Sequence, residues 1–368
     1  MNLLIVPNSF KGTYSATAIA AAMERGARQI DAFAQITRIP IADGGDGTLE
    51  CFYEALGGTF VWVDAVDAWR RPIKSRYLRL DEHRALIELA STAGLTIAGK
   101  KLNPRQTTTA GVGMQIAAAI ADGAKEILLA IGGSATNDMG VGMLESLGVV
   151  FRDATGGVFH PVGESLSRIR SIDTTALDPK IRDVEFTTLC DVDNPLFGSL
   201  GAAYVYAPQK GASKEDVEFL DLELRAFASL LETKYFLKPN FPGAGAAGGT
   251  SVAAKLFLNS KVVSGIDAIL DLVEFDRRLV HADAVISGEG KLDRQSFYGK
   301  VIGGLHQRMA SSNRPLLLVC GVNELEDLPK NVFASAIHDP LQSLETTIQN
   351  TLQLVEEHTK QLLRAHIK

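Results

Sequence analysis

Short apolar segments alternate with amphipathic helical segments at both ends of this chain, and this alternation constrains the fold more than any other feature. The predicted strands near the two ends lie at 3–6, 36–41, 284–287, 316–319 and 333–337. The predicted helices between them lie at 15–30, 48–56, 267–280 and 299–311. Ser15 is a suitable N-cap residue for the first helix. The alternation is typical of a parallel α/β sheet.

The alternation stops near residue 58. Three extended segments follow with no helix between them, at Thr59–Val63, Ile73–Leu80 and Ala85–Leu89. Short polar turns separate these segments, which favours antiparallel pairing. We therefore predict one α/β domain formed by both chain ends, 1–58 plus 262–368, with a mixed α/β domain inserted at 59–261.

Further elements are predicted inside the insertion and at the C-terminal end. The insertion carries predicted strands at 126–131, 186–189 and 203–206 and predicted helices at 109–121, from 141 and from 213. The chain closes on a predicted helix with Leu341, Leu344, Ile348, Leu352 and Val355 on one face.

Composition excludes several classes of protein. The 368 residues are 46% hydrophobic and 22% charged, which is ordinary for a globular enzyme and unlike a disordered chain. The net charge of −6 argues against nucleic-acid binding. The three cysteines form no CxxC pair, so neither a disulfide framework nor a structural zinc site is expected. With no signal-like or membrane-spanning segment, we expect a cytoplasmic protein.

Several predicted strands end in short loops rich in Gly, Asp, Ser, Asn and Lys. These loops are 8–12, 42–48, 132–138, 191–196 and 288–293. Ligands of open α/β sheets bind at the carboxyl ends of the strands, where glycine permits close approach and helix N-termini offer N–H groups to anions. The pattern predicts a phosphorylated or carboxylated ligand.

The side chains in these loops suit phosphate and metal chemistry. Lys11 could meet a phosphate, and Asp43 with Asp46 could hold Mg²⁺ or act as a general base. Segment 132–138 suits a phosphate cradle followed by an acid, Asp138. Taken singly, each loop is also explained by a surface turn or a helix cap. Together they indicate a phosphate-handling α/β enzyme without identifying its substrate.

Of two common nucleotide-binding motifs, one is absent from the sequence and the other occurs outside its usual context. No GxxxxGK[ST] segment is present, which excludes a Walker A loop. A literal GxGxxG occurs at 243–248, but it follows a proline-containing polar segment and not a strand. That context argues against a dinucleotide-binding unit.

Seven motifs in order give the chain a resemblance to a known family. They are Asn8–Gly12, Ala42–Thr48, Gly132–Asp138, Cys190–Leu196, Ala207–Gly211, Pro242–Gly249 and Gly288–Asp293. As a set, spread over essentially the whole chain, they resemble the two-domain bacterial glycerate kinases, which are distinct from ribokinase-like kinases. Three positions depart from the family pattern, because Asn8, Asp46 and Met139 stand where the family usually has Asp, Glu and Gly.

The resemblance implies a fold and an activity. It implies a flavodoxin-like domain formed by the two chain ends, an inserted second domain and an active site in the cleft between them. It also implies ATP and Mg²⁺ as cofactors, D-glycerate as the phosphoryl acceptor and 2-phosphoglycerate as the product. We accordingly expect small-molecule partners, with no nucleic acid and no membrane. The sequence leaves the oligomeric state open.

The loops and the resemblance together select the candidate site residues. The candidates for catalysis are Lys11, Asp43 and Asp191. The candidates for substrate or nucleotide binding are Ser9, Gly44, Gly45, Gly133, Ser134, Thr136, Asn137, Asn194, Gln209, Lys210 and Gly288. The candidates for metal binding are Asp138, Glu289 and Asp293.

Three alternative functions stay open at the level of sequence. A kinase of the same fold could act on another small hydroxyacid, such as a tartronate- or erythronate-like acid, or could form 3-phosphoglycerate, since specificity depends on few contacts. An NAD-dependent hydroxyacid dehydrogenase would need a strand-linked GxGxxG, which is absent. A non-catalytic carboxylate-binding protein would bind glycerate without forming ADP.

The substitution Asp43→Asn tests the proposed role of this carboxylate. We expect it to remove most of kcat, because an amide can neither accept the acceptor's proton nor hold a cation as a carboxylate does. The measurement is turnover of ATP with D-glycerate, in a variant shown to be folded. Near-normal turnover would exclude Asp43 from the mechanism.

Overall fold

The computed structural model describes residues 1–10, 12–42, 44–297 and 300–367, and it divides the chain into two compact units. The first unit comprises Met1–Asp43, Glu50–Gly57 and Ile266–Lys368. The second unit comprises Gly44–Leu49 and Gly58–Gly265. Each unit has its own β-sheet and its own buried core.

The strands and helices of the described residues are numbered in chain order. The strands are β1 (Asn2–Ile5), β2 (Gln35–Arg38), β3 (Thr59–Val66), β4 (Pro72–Arg79), β5 (Arg84–Glu88), β6 (Glu126–Ala130), β7 (Val150–Arg152), β8 (Ser171–Asp173), β9 (Glu185–Leu189), β10 (Lys261–Val263), β11 (Ala284–Leu292), β12 (Leu316–Asn323) and β13 (Val332–Ala336). The helices are α1 (Ala16–Arg28), α2 (Thr48–Leu56), α3 (Ala90–Ala93), α4 (Leu95–Ala98), α5 (Ala110–Ala121), α6 (Val141–Ser146), α7 (Ala202–Tyr206), α8 (Lys214–Tyr235), α9 (Thr250–Phe257), α10 (Gly265–Leu272), α11 (Phe275–Val280), α12 (Val301–Met309), α13 (Leu344–Gln349) and α14 (Thr351–His366). None of these helices is both long and apolar enough to cross a membrane.

The first unit is built on a parallel sheet that joins the two ends of the chain. Its strand order is β13-β12-β11-β1-β2, and every pairing between neighbours is parallel. Counted along the chain within this sheet, the order reads 2-1-3-4-5, which is the flavodoxin-like order. Strand β1 therefore lies inside the sheet, and it pairs with β11 in the register Leu3↔Ala284.

Helices cover this sheet and bury its apolar side chains. Ile5, Ile286 and Leu317 are fully buried in one cluster with residues of α1 and α14. Helix α1 begins as the sequence predicts, since the Ser15 hydroxyl accepts a hydrogen bond from the Ala18 N–H at 3.2 Å. Gly26 lets α1 approach α14 closely, because a Cβ there would lie 2.3 Å from the Glu356 carbonyl oxygen.

The second unit is built on a six-stranded mixed sheet of order β10-β9-β6-β5-β4-β3. The neighbours from β10 to β5 are parallel, and β4 is antiparallel to both β5 and β3. The prediction that the three extended segments after residue 58 pair antiparallel is confirmed. Strands β7 and β8 form a separate antiparallel pair.

The prediction of a strand at 203–206 is wrong, because these residues belong to helix α7. Ala202, Ala203 and Ala207 are fully buried, whereas Tyr204 and Val205 are exposed. Buried positions separated by one and by four residues follow the helical repeat and not the alternation of a strand. The short apolar segment alone does not distinguish these two possibilities.

Two helices predicted as continuous are interrupted. The segment 267–280 forms α10 and α11, because Glu274 adopts a left-handed conformation with φ of 51° between them. The C-terminal helical segment divides at Asn350 into α13 and α14. Leu341 precedes α13 and is 94% exposed, so the prediction of a single apolar face from Leu341 to Val355 is also wrong.

The close packing of α1 against α14 gives a stability prediction. Gly26→Ala places a methyl group against backbone, so we expect a loss of about 1–3 kcal/mol in the free energy of unfolding, although alanine favours helix. Gly157→Ala is the matched control, since Gly157 is exposed and a Cβ there would meet nothing closer than 3.4 Å. Urea denaturation measures both. Equal free energies of unfolding for the two variants would contradict the close packing of α1 against α14.

Candidate functional site

A cavity of about 440 Å³ lies in the first unit, at the carboxyl ends of β1, β11, β12 and β13. Its lining residues are Asn8, Ser9, Phe10, Thr13, Glu289, Gly290, Lys291, Asp293, Lys300, Gly321, Val322, Ile337, Leu344, Thr347, Ile348 and Thr351. In a flavodoxin-like sheet the chain reverses its winding between the strands that correspond here to β1 and β11, and ligands bind at that point. The cavity is therefore where this fold places a ligand.

The loop after β1 is fixed to the neighbouring strand. The Asn8 N–H donates to the Gly288 carbonyl at 2.9 Å, and the Asn8 side-chain oxygen accepts from the Ser9 N–H at 2.7 Å. Ser9, a predicted binding residue, lines the cavity. Gly288 lies inside β11, where a Cβ would approach the Val319 carbonyl oxygen to 2.2 Å. Gly288 thus supports the loop through its backbone.

The carboxyl end of β11 places charged side chains on the cavity wall. Glu289 is 8% exposed, and Asp293 accepts hydrogen bonds from the N–H groups of Gln295 and Ser296 at 2.8 and 3.2 Å. Lys291 Nζ lies 2.9 Å from a Glu324 oxygen and 4.0 Å from an Asp293 oxygen. The hydrogen bond to Glu324 raises the pKa of Lys291, so this lysine stays protonated. Lys300 supplies a second ammonium group to the lining.

Four other residues of the cavity lining are apolar. Val322 lies near the end of β12, Ile337 follows β13, and Leu344 and Ile348 come from α13. Sequence reasoning missed these four residues as site residues. The periodicity of Leu344 and Ile348 predicts a face packed on a protein core, and it does not show that they line a cavity.

Glycines bring two predicted loops of the second unit together. The Gly132 N–H donates to the Gly44 carbonyl at 2.9 Å. A Cβ on Gly132 would lie 2.8 Å from the Gly45 nitrogen, so a larger residue would separate the loops. Gly44 and Gly133 both have positive φ, of 78° and 72°, a conformation that glycine adopts at little cost.

Glu88 is a further residue that sequence reasoning missed. It is 4% exposed at the end of β5, and its carboxylate accepts hydrogen bonds from the Gly47 and Leu49 N–H groups at 3.3 and 3.0 Å. Asp46, in the same loop, accepts from the Thr96 hydroxyl at 2.6 Å. The feature of the sequence that could have identified Glu88 is the presence of an acidic residue inside a predicted buried strand. Glu88 holds the 44–49 loop from inside the unit.

Lys210 is buried beneath the 132–138 loop, with 1% exposure. Its ammonium group donates to the Ser134 hydroxyl at 2.8 Å and to the Thr136 carbonyl at 2.6 Å. Burial lowers the pKa of Lys210 to about 7, and the charge of Asp138 acts in the opposite direction. The structure therefore brings together the predicted residues Ser134, Thr136 and Lys210, and the lysine contacts the loop itself.

Asp138 is fully buried next to the same loop. Its carboxylate accepts hydrogen bonds from the Thr109 N–H and hydroxyl at 2.8 and 2.9 Å and from the Gly140 and Gly142 N–H groups at 3.0 and 3.3 Å. Desolvation raises the pKa of Asp138, and these hydrogen bonds oppose the rise. The contacts favour a structural role for Asp138 over the predicted role as a metal ligand. The adjoining Asn137 amide is buried and has no hydrogen-bond partner among the described residues.

The segment after β9 holds the remaining predicted residues of the second unit. Asp191 accepts a hydrogen bond from the Ser264 hydroxyl at 3.3 Å. The Asn194 amide donates to the Leu200 carbonyl at 2.8 Å and accepts from the Tyr206 hydroxyl at 2.6 Å, so it fixes its own loop. Gln209 is exposed.

Two predicted catalytic residues, Lys11 and Asp43, lie outside the described residues. Across the described ranges, the chain holds no cluster of three or more His, Cys, Asp or Glu side chains that could bind a metal. Mg²⁺ needs no such cluster, because it commonly takes one or two carboxylates and completes its shell with phosphate oxygens and water. Glu289 and Asp293, in one cavity lining, match that requirement.

The buried lysine predicts a pH dependence of stability. The pKa of Lys210 is about 7 in the folded state, against 10.5 for a lysine free in water. Between these values the unfolded chain holds a proton that the folded chain lacks, so this group's contribution to the free energy of unfolding becomes more favourable as pH rises from about 7 to about 10. Lys210→Met removes that change.

Urea denaturation at about pH 7 and about pH 9.5 tests this expectation. The stability of the wild type relative to Lys210→Met should rise with pH. Lys214→Met, at an exposed position on the same segment, should follow the wild type at both values. A difference between wild type and Lys210→Met that does not change with pH would contradict the lowered pKa.

Comparison with known proteins gives consistent results over the whole chain. The sequence profile described as the glycerate kinase family matches residues 3–367. A glycerate kinase of Bacillus cereus is 36% identical, with 97% of this chain and 95% of the relative covered. A glycerate 2-kinase of Escherichia coli is also 36% identical, with 87% and 85% covered.

A solved structure from Salmonella typhimurium LT2, assigned provisionally as glycerate kinase 2, superposes with a TM-score of 0.85 at 33% identity. It covers 99% of this chain, and 98% of its own length is matched. The predicted α/β fold class and the family resemblance seen in the seven motifs are confirmed. Since profile, relatives and structure agree over nearly the full length, the chain belongs to the glycerate kinase family.

Proposed function

We propose that this enzyme transfers the γ-phosphate of ATP to D-glycerate and forms 2-phosphoglycerate. The observation that carries the proposal is the family membership over nearly the whole chain. Among the relatives, the Escherichia coli protein is named a glycerate 2-kinase, which supports attack by the 2-hydroxyl group. A kinase working on another small hydroxyacid, or forming 3-phosphoglycerate, is the alternative.

The cavity of the first unit supplies the residue types that phosphoryl transfer needs. Catalysis of this reaction depends mainly on positioning and on neutralising charge. Lys291 and Lys300 would face the phosphate groups, and Glu289 with Asp293 would hold Mg²⁺. When bound, Mg²⁺ neutralises charge on the phosphate oxygens.

The remaining roles follow the sequence-based assignment. Asp43 or Asp191 would accept the proton of the glycerate hydroxyl. The bond from that oxygen to the γ-phosphorus would form as the bond to the β–γ bridging oxygen breaks. Lys11 would stabilise the charge of the transferring phosphoryl group. ADP would leave with the electron pair of the broken bond.

The glycine loops of the second unit would bind substrate through their backbone. Gly44, Gly45, Gly133 and Ser134 lie close together there, and the backbone N–H groups of glycine-rich loops bind anions such as a carboxylate or phosphate. Lys210 would act by fixing Ser134 and Thr136. We also place the enzyme in the cytoplasm, which the three free cysteines support.

A coupled ADP-release assay with MgATP and a panel of small hydroxyacids tests the function. We expect turnover on D-glycerate, and ³¹P NMR of the product should show 2-phosphoglycerate. Omitting the acid measures background ATP hydrolysis. Activity only on another acid would replace the substrate and keep the reaction. Absence of ADP formation with every acid would reject the kinase assignment.

A further inference from the structure

The cavity of the first unit has two chemically different ends. We call Glu289, Lys291, Asp293 and Lys300 its charged end, and Val322, Ile337, Leu344 and Ile348 its apolar wall. The charged end comes from β11, the residue that follows it and the N-cap residue of α12. The apolar wall comes from β12, α13 and the residue that follows β13. Each of the three carbons of glycerate carries a polar group, either the carboxylate or a hydroxyl. Glycerate therefore offers no apolar surface that could pack against the apolar wall.

The separation of the two ends follows from the strand order. Strand β11, which carries Glu289 and Lys291, lies two positions from β13 in the sheet, a distance of about 10 Å at the usual spacing between strands, and β12 with Val322 lies between them. A ligand that contacts residues beyond both strands must be extended. It must also be charged near β11 and apolar near β13.

Polar groups next to the apolar wall are already engaged within the protein. The Thr347 hydroxyl pairs with His338 Nδ1 at 2.9 Å, and the Thr351 hydroxyl donates to the Thr347 carbonyl at 3.0 Å. Both threonines are nearly fully buried. These contacts leave the carbon surface of α13 as the main feature that the cavity presents on this side.

The part of the apolar wall that comes from α13 is open to solvent, unlike Ile337, which is buried. Leu344 is 56% exposed and Ile348 is 40% exposed, although both line the cavity. A flat aromatic ring against these side chains would remove apolar surface from water, at about 25 cal/mol per Å². The adenine ring of ATP is such a group, and its triphosphate suits the charged end.

We propose that the cavity binds ATP with the adenine ring against the apolar wall and the phosphates at the charged end. This inference rests on the proposed function, since it takes ATP as the phosphoryl donor. It assigns Leu344 and Ile348 as determinants of nucleotide affinity. Glycerate binds elsewhere and does not contact the wall.

Direct binding experiments test the assignment without requiring turnover. Isothermal titration calorimetry with MgADP and with magnesium tripolyphosphate compares a ligand that has the base with one that lacks it. For Ile348→Asn and Leu344→Asn we expect the Kd of ADP to rise about tenfold, as loss of apolar contact implies. The Kd of tripolyphosphate should stay within about twofold, because its contacts lie at the charged end.

Leu341→Asn is the matched control. Leu341 is 94% exposed in the same segment and does not line the cavity, so both Kd values should equal those of the wild type. The wall variants also predict a kinetic effect, with a raised KM for ATP and an unchanged KM for D-glycerate. Thermal unfolding followed by circular dichroism checks that each variant is folded.

The outcomes separate this inference from the proposed function. An unchanged Kd of ADP in both wall variants, equal weakening of ADP and tripolyphosphate, or no binding of ADP to the wild type would overturn the inference. ADP binding that depends on the wall, without phosphorylation of D-glycerate, would support the inference and reject the proposed function. Normal glycerate kinase activity, with an ADP affinity that does not depend on the apolar wall, would support the proposed function and reject this inference.

Discussion

The parallel pairing of β1 with β11 brings two distant parts of the chain into one sheet and makes the first unit discontinuous in sequence. It joins Leu3 to Ala284 across most of the chain, so the residues between them must leave the first unit and return. The entropic cost of closing so long a loop grows only slowly with its length. The second unit offsets this entropic cost, because it forms its own sheet and its own buried core, which stabilise the folded chain. The discontinuous architecture is thus a consequence of one strand pairing.

The same pairing positions the cavity. The loop after β1 is held to β11 by the hydrogen bond from Asn8 to Gly288, and β11 continues beyond this point to carry Glu289 and Lys291 into the cavity lining. Gly288 makes this possible, since a side chain there would meet the backbone of β12. A glycine in a functional loop can therefore serve the ligand indirectly, by allowing strands to pack closely.

In the second unit, some side chains that the sequence suggests as ligand-binding groups are buried, and they contact other parts of the protein. Asp138 and Lys210 look like ligands of a metal or phosphate when read in the sequence. In the structure both are buried, and each is engaged in hydrogen bonds with neighbouring loops. Buried charge is costly unless it is paired or hydrogen-bonded, so such residues specify the loop conformation. Glu88 has the same role for the 44–49 loop.

The α/β class, the antiparallel strands after residue 58 and the family could all be predicted from the order of the amino acids. These follow from local periodicity and from motifs, which depend on neighbouring residues. Three features became evident only in the folded chain: 203–206 is helical, Asp138 and Lys210 are buried, and Leu344 and Ile348 line a cavity. The physical reason is the same in each case. The residues that bury a side chain or form its hydrogen bonds come from segments distant in the chain. The periodicity of a short segment therefore cannot predict them.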